Sequence, residues 1–198
     1  GITDIPRVLT IADDDGVVTI LDDDVAVITL TVDDADPITT PGIIDPFTEA
    51  GGTATLTVSV SNPLDVVYGF DVMTQDGTAA SAAGDYTPTT TSFTVAAPTS
   101  TTTGLVVDNG SGAATFTVPV SADGVVELPE TILAFVNNIN ASGRAVSMAA
   151  PETLTVTSAD TATLDINDVT VIEGDEGQAL VQMTVTLSNA VSSPVSVV

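Results

Sequence analysis

Residues 53–63, "TATLTVSVSNP", decide the fold class of this 198-residue chain. Thr and Ser alternate there with Leu56, Val58 and Val60, so one face of the segment is apolar and the other is polar. Alternation with a period of two is typical of a β-strand with one buried face. The Ser-Asn-Pro sequence that follows is a turn signal, so the strand is predicted to end there.

Similar alternating runs recur along the chain, each bounded by turn residues, whereas stretches with the 3.6-residue period of a helix are nearly absent. The runs predict further strands at 65–75, 91–97, 103–108, 113–120, 131–138, 152–158 and 161–167. About eight short strands in about 120 residues is the density of an antiparallel β-sandwich. Residues 28–50, which contain Pro37, Pro41 and Pro46, are expected to form an extended segment that leads into it.

The composition excludes several classes of partner. The chain has 27 acidic residues against two basic ones, Arg7 and Arg144, and its net charge is −25 with no His. Nucleic acid is excluded because phosphate binding needs a basic face, and anionic membranes are disfavoured for the same reason. We expect no membrane insertion, since no apolar run has the length to span a bilayer. With no Trp, the core must consist mainly of aliphatic side chains.

Two parts of the sequence repeat. Residues 57–67, "TVSVSNPLDVV", are similar to 184–198, and "VVTILDDDVAV" at 17–27 is similar to 163–171, with Ile20 aligned to Ile166. The repeat predicts the last strands of an upstream unit at 1–27, a complete sandwich at 28–168 and the first strands of a following unit at 169–198. The alternative is that any two amphipathic strands look alike.

The acidic residues of the central unit lie at strand ends or in turns. In a sandwich, alternate strand ends gather at one pole, so carboxylates from distant segments can converge there. Calcium prefers six to eight oxygen ligands, which such a pole would supply. The candidate ligands are Glu49, Asp85, Asp123, Glu127, Glu130 and Asp168.

Several motifs resemble the Calx-beta repeat, which is found in sodium/calcium exchangers, in integrin β4 and in long bacterial surface proteins. They are Asp76-Gly77-Thr78-Ala79, Asp85-Tyr86, "VELPETILAFV" at 126–136, Glu173-Gly174-Asp175 and the run Asp22-Asp23-Asp24. The resemblance implies an immunoglobulin-like sandwich with calcium sites at one end, near the junction with the next domain. It carries over Glu49, Asp85, Asp123, Glu127 and Glu130 as ligands.

The closing acidic run departs from the family pattern, because the central unit has Asp168 alone where Asp22, Asp23 and Asp24 stand in the upstream unit. We therefore expect one or two calcium ions rather than a larger cluster. Asp22 to Asp24 are predicted ligands of the upstream unit, and Glu173 of the following one. The competing interpretation is a solvated, salt-adapted acidic surface that needs no specific ion.

The resulting functional prediction is a structural calcium-binding repeat of an extracellular filament, matrix or adhesin. Its partners would be copies of itself, joined in tandem or by strand exchange, and cell-surface or matrix ligands. The alternatives are a calcium-independent, salt-adapted surface-layer or filament subunit and a calcium-sensing module. An enzyme is not expected, because a chain without His, Cys or Lys lacks the usual nucleophile and base pairs.

Overall fold

The computed structural model describes residues 16–20, 23, 25–33, 46–50, 52–62, 64–97 and 114–196. These residues form thirteen β-strands and no helix, so none of the described residues belong to a helix that could cross a membrane. In chain order the strands are β1 (Ala26–Val32), β2 (Phe47–Thr48), β3 (Thr53–Ser61), β4 (Tyr68–Asp76), β5 (Thr90–Val95), β6 (Ala114–Pro119), β7 (Val125–Val126), β8 (Glu130–Asn140), β9 (Val146–Met148), β10 (Glu152–Thr157), β11 (Leu164–Ile166), β12 (Val185–Leu187) and β13 (Ala190–Val191).

Nine of these strands form two sheets that enclose one core. The first sheet has the order β6-β3-β1-β9 and the second has the order β2-β10-β8-β4-β5. Neighbouring strands are antiparallel, except that β9 runs parallel to β1 and β2 runs parallel to β10. The prediction of an all-β, immunoglobulin-like sandwich is confirmed, with two short parallel pairs at the sheet edges that alternation alone does not reveal.

The core consists of the alternate residues that the sequence pattern predicted. Leu56 and Val58 of β3 are fully buried, and Phe116 of the neighbouring β6 lies beside them. Ile132 and Leu154 supply fully buried side chains from the opposite sheet. Each such side chain contributes roughly 1.5–3 kcal/mol relative to an exposed one, which explains how a core without Trp holds the two sheets together.

The prediction that residues 28–50 form an extended segment is wrong for residues 28–32. Residues 26–32 form β1, which lies between β3 and β9 and pairs with β3 from Val27 opposite Ser61 to Val32 opposite Leu56. Its inward side chains, such as Ile28, are buried because the run alternates like the other strands. Pro37, Pro41 and the predicted strand at 103–108 lie outside the described residues.

The last predicted strand forms, but it does not join the sandwich. It becomes β11, which pairs with β12, while β13 runs parallel to β7. The strands also do not coincide with the expected unit boundaries. Strand β1 begins two residues before the boundary at 28, and β11 ends two residues before the boundary at 168. The division into three units stays a prediction.

Candidate metal centre

Three carboxylates are brought together by the pairing of β2, β8 and β10 at one end of the sandwich. Glu49 follows β2, Glu130 begins β8 and Asp160 comes three residues after β10. Val156 of β10 lies opposite Glu130, and the Glu49 backbone N–H donates to the carbonyl oxygen of Thr157 at 3.1 Å. The ladder thus places the ends of three chain segments side by side.

Three more carboxylates come from loops at the same end. Asp85 lies between β4 and β5, and its Oδ2 accepts a hydrogen bond from the Ala80 backbone N–H at 2.6 Å. Asp123 and Glu127 flank the short strand β7, and Asp123 Oδ1 accepts one from the Val125 N–H at 2.8 Å. These backbone bonds fix the loop carboxylates without supplying any positive charge.

Carboxylate oxygens from this end form two overlapping groups. One group is Glu49, Asp123 and Asp160, the other is Asp85, Asp123 and Glu127, and in each the oxygens lie within 4.8 Å of one another. Asp123 belongs to both. Like charges at this spacing repel one another strongly unless a cation or protons neutralise them.

Several of these oxygens have no hydrogen-bond partner among the described residues. The Oε2 atoms of Glu49, Glu127 and Glu130 are each buried and unpaired. Glu49 is only 3% exposed, and Asp85 is also buried. A buried polar atom without a partner costs about 1–3 kcal/mol, and more when it is charged. Buried, unpaired oxygens in the same part of the sandwich as these close carboxylate groups fit a bound hard cation, so the residues present fit calcium.

The pKa values of three glutamates in this cluster are raised, as expected where negative charge is buried without a cation. Burial, followed by the charge of Asp85, raises the pKa of Glu130 to about 7. Burial is also the main cause of the raised pKa of Glu49 and Glu127, with added repulsion from Glu127 on Glu49 and from Asp85 on Glu127. Without a cation, Glu49, Glu127 and Glu130 are therefore harder to ionise here than in water.

The Asp-Gly-Thr-Ala motif locks the Asp85 loop onto β8 beside Glu130. The Thr131 N–H donates to the Thr78 Oγ1 at 2.8 Å, the Thr78 N–H donates to the Thr131 Oγ1 at 3.1 Å, and the Ala79 N–H donates to the Thr131 carbonyl at 3.1 Å. A Cβ at Gly77 would lie 2.3 Å from the Thr131 carbonyl oxygen, so this approach requires glycine.

Asp76, the acid of that motif, stabilises the loop rather than joining either carboxylate group. Its Oδ1 accepts a hydrogen bond from the Tyr86 hydroxyl at 2.6 Å and another from the Ser81 N–H at 3.1 Å. These bonds tie the start of the loop to its end. Asp85, the residue before Tyr86, is held in position as a result.

The structure brings five of the predicted ligands together at one end. Glu49, Asp85, Asp123 and Glu127 belong to the two groups, and Glu130 belongs to neither but interacts with Asp85, Glu127 and Glu49. Asp168 and Glu173 are exposed and belong to neither group, and neither is among the carboxylates that interact with Glu130. Asp23 is also exposed, and Asp22 and Asp24 lie outside the described residues. The ligand role of every one of these residues stays a prediction.

Asp160 is the member of the cluster that the sequence analysis missed. An alignment of the repeat on its acidic runs pairs Asp22 to Asp24 with Asp168. The structure supports another alignment, because Asn62 Nδ2 donates to the Val25 carbonyl and Asn189 Nδ2 donates to the Thr161 carbonyl. Val25 therefore corresponds to Thr161, and the residue before each is an aspartate, Asp24 or Asp160. Alignment on the shared Ser-Asn turn would have found it.

Comparison with known proteins gives likeness to solved structures only. No protein-family model matches the sequence, and no curated protein matches it. The apo-form Calx CBD1 domain is 21% identical with a TM-score of 0.46, and the match covers 67% of this chain and 98% of that one. CBD12 of CALX1.2 is 20% identical with a TM-score of 0.45, covering 67% of this chain and 44% of that one. The calcium binding domain CBD12 of CALX1.1 is 22% identical with a TM-score of 0.42, covering 59% and 42% respectively. The match thus spans less than half of each CBD12 chain.

Proposed function

We propose that this protein is a calcium-binding β-sandwich module whose metal centre is the carboxylate cluster at the β2, β8 and β10 end. The observation that carries the proposal is the set of buried, unpaired Oε2 atoms on Glu49, Glu127 and Glu130. A folded protein rarely leaves three such atoms unsatisfied in one place, since each one destabilises the native state. A cation that binds among them removes that cost.

The chemistry of the cluster favours calcium over other metals. Every candidate ligand is a carboxylate, and the chain has neither His nor Cys, the residues on which zinc and copper sites depend. Magnesium usually binds through one or two carboxylates and keeps several waters, whereas calcium accepts six to eight oxygens at about 2.3–2.6 Å. Two overlapping groups that share Asp123 suit one or two calcium ions.

Calcium would supply positive charge where the chain has none, and the protein would supply the positions of the oxygens. Glu49 and Asp85 are held by the strand and loop backbone. Asp123 and Glu127 flank β7, which also pairs with β13 near the end of the described chain. A bound ion would thus stabilise β7, the strand with which β13 pairs.

We also propose that the module serves a structural role in a tandem or self-assembling protein at the cell surface or outside the cell. The second strand pair that follows the sandwich supports the tandem arrangement, and the acidic, cysteine-free composition is compatible with that location. Assembly with copies of itself, attachment to surface or matrix ligands, and the absence of enzymatic activity stay predictions.

The proposal is tested by a thermal melt with millimolar calcium, with chelator, and with chelator plus molar sodium chloride. Calcium at a hundred- to thousand-fold excess over its dissociation constant should stabilise the protein by about 3–4 kcal/mol. Glu130→Gln should reduce that gain, whereas Glu152→Gln should leave it unchanged, because Glu152 begins β10 at the end away from the cluster.

Two outcomes would contradict calcium binding. Equal stabilisation by sodium chloride and by calcium would favour the salt-adapted surface, in which exposed acids such as Asp165 and Glu173 are merely hydrated. No retention of calcium by the protein in equilibrium dialysis would exclude the site directly. A melt that shifts with calcium but equally in both variants would place the ion elsewhere.

A further inference from the structure

The pair β11 and β12 has a large apolar face that no described residue covers. Leu164 and Ile166 of β11 and Val185 and Leu187 of β12 are between 38% and 54% exposed. The intervening residues Asp165 and Thr186 are polar, so the pair alternates like a strand pair with one buried face.

This pair reproduces β1 and β3 in the same register. In the sandwich, Ile28 lies opposite Val60 and Leu30 lies opposite Val58. In the second pair, Leu164 lies opposite Leu187 and Ile166 lies opposite Val185. Since residues 57–62 align with 184–189, each apolar residue of β12 has a counterpart in β3, and each faces the corresponding apolar residue of its partner strand.

A hydrogen bond at the end of each pair confirms the correspondence. Asn62 Nδ2 donates to the Val25 carbonyl at 3.2 Å, and Asn189 Nδ2 donates to the Thr161 carbonyl at 2.7 Å. In both cases the asparagine follows the second strand, and the acceptor precedes the first. Two unrelated strand pairs would not be expected to share both the strand register and this side-chain hydrogen bond.

The sandwich itself shows what such a face packs against. The four counterparts in β1 and β3 are at most 9% exposed, because the five-stranded sheet β2-β10-β8-β4-β5 encloses the core with them. A second folded copy of this chain does not offer that surface, since its own five-stranded sheet is already covered. The partner must therefore be a sheet whose apolar face is still open.

We propose that the exposed face of β11 and β12 binds a second five-stranded sheet, equivalent to β2-β10-β8-β4-β5, to complete a second sandwich in the register of the first. The inference rests on the tandem arrangement proposed above, but it is independent of calcium. The strand pair would serve as the first two strands of that second sandwich, attached to the first through the β13 and β7 pairing.

The register can be tested by disulfide cross-linking of cysteine pairs introduced into the full 198-residue chain. The chain has no Cys, so introduced cysteines are the only thiols. Ser188 N–H donates to the Thr163 carbonyl, which makes Leu164 and Leu187 a pair without mutual backbone hydrogen bonds, the arrangement with the closest Cα atoms. Leu164→Cys with Leu187→Cys should cross-link on oxidation, and Leu164→Cys with Thr186→Cys should not, because residue 186 faces the other side.

The partner can be tested by a graft in which residues 1–191 are followed by residues 65–160 of the same chain. Because residues 190 and 191 align with 63 and 64, the graft keeps β13 and supplies the strands that follow Leu64 in the first sandwich directly after Val191. Hydrogen exchange at 164–166 and 185–187 should slow by about tenfold or more relative to the 198-residue chain. Ile166→Asn should abolish that protection in the graft, whereas Asp165→Asn on the polar face should preserve it.

Several results would overturn the proposal. Cross-linking at 164 and 186 as efficient as at 164 and 187 would show a different register. Unchanged exchange at 164–166 would refute the partner when the grafted strands are themselves protected from exchange. Grafted strands that fail to fold would also refute it, because the proposal holds that β11 and β12 supply the two strands that they need. Protection that rises with concentration in the 198-residue chain would show that a second copy covers the face instead.

Discussion

Replacing Glu130 by Gln should stabilise the protein when calcium is removed. Burial and the neighbouring Asp85 raise the pKa of Glu130 to about 7 from an ordinary value of 4.5. Each tenfold change in proton affinity is worth about 1.4 kcal/mol, so the ionised carboxylate destabilises the folded state by about 2–3 kcal/mol above neutral pH, allowing for partial solvent screening. The Gln side chain has a similar shape and no charge, so it removes that cost.

The sign of the pH dependence follows from the raised pKa. The folded state binds the Glu130 proton more tightly than the unfolded state does, so the stability is fully present below pH 4.5 and is lost as the pH rises towards about 7. We therefore expect the gain from Glu130→Gln to be near zero at about pH 4 and to reach about 2–3 kcal/mol at about pH 8. Urea denaturation in calcium-free buffer measures the gain in the free energy of unfolding at each pH, with Glu152→Gln as the control.

Calcium should reverse the sign of this effect. With the ion bound, the Glu130 carboxylate is a predicted ligand, and its replacement should lower the free energy of unfolding rather than raise it. A gain that does not change between about pH 4 and pH 8 would refute the assignment of the raised pKa to Glu130. A gain of the same size in calcium and in chelator would refute its role as a ligand.

Two further predictions concern the loop that carries Asp85. Gly77→Ala should destabilise the protein by about 1–3 kcal/mol or more and weaken calcium binding, because the new Cβ would lie 2.3 Å from the Thr131 carbonyl oxygen. Gly174→Ala is the control, because a Cβ there would meet only the Glu176 carbonyl oxygen at 4.0 Å, an ordinary van der Waals contact. Equal thermal melts for the two variants would contradict the close approach at Gly77. Tyr86→Phe removes the hydrogen bond to Asp76 and should cost about 1.5–3 kcal/mol in urea denaturation. Tyr68→Phe should cause no loss and a gain of up to about 1–3 kcal/mol, because the buried Tyr68 hydroxyl has no partner among the described residues. A Tyr68→Phe loss as large as that of Tyr86→Phe would refute this reasoning.

The strands were predictable because their signal is local. Alternation of period two in residues 53–60 or 152–157 shows which side chains face inward, whatever the rest of the chain does, and those side chains are the buried ones. The same signal is present in residues 26–32, and it determines their structure despite the three prolines downstream that predict an extended segment. Proline restricts its own backbone and that of the residue before it, whereas β1 ends at Val32, five residues before Pro37.

The candidate site was predictable only in part, because convergence depends on strand pairing. Strand-end acids such as Glu49 and Glu130 were expected at a common pole, and the β2, β10 and β8 ladder brings them there. Asp160 and Asp168 both follow apolar runs and look alike in the sequence. The pairing of β11 with β12 takes Asp168 away from the cluster and leaves Asp160 inside it.

By itself, then, the sequence determined the fold class, the inward faces of the strands, the acidic character of the molecule and five members of the carboxylate cluster. All of these depend on composition, on spacing over a few residues, or on motifs of a known family. Only the tertiary structure decided that β1 belongs to the sandwich, that Asp160 joins the cluster and that β11 and β12 repeat β1 and β3 in register. Each of these depends on backbone hydrogen bonds between residues far apart in the chain, and no local pattern specifies which strands will form them.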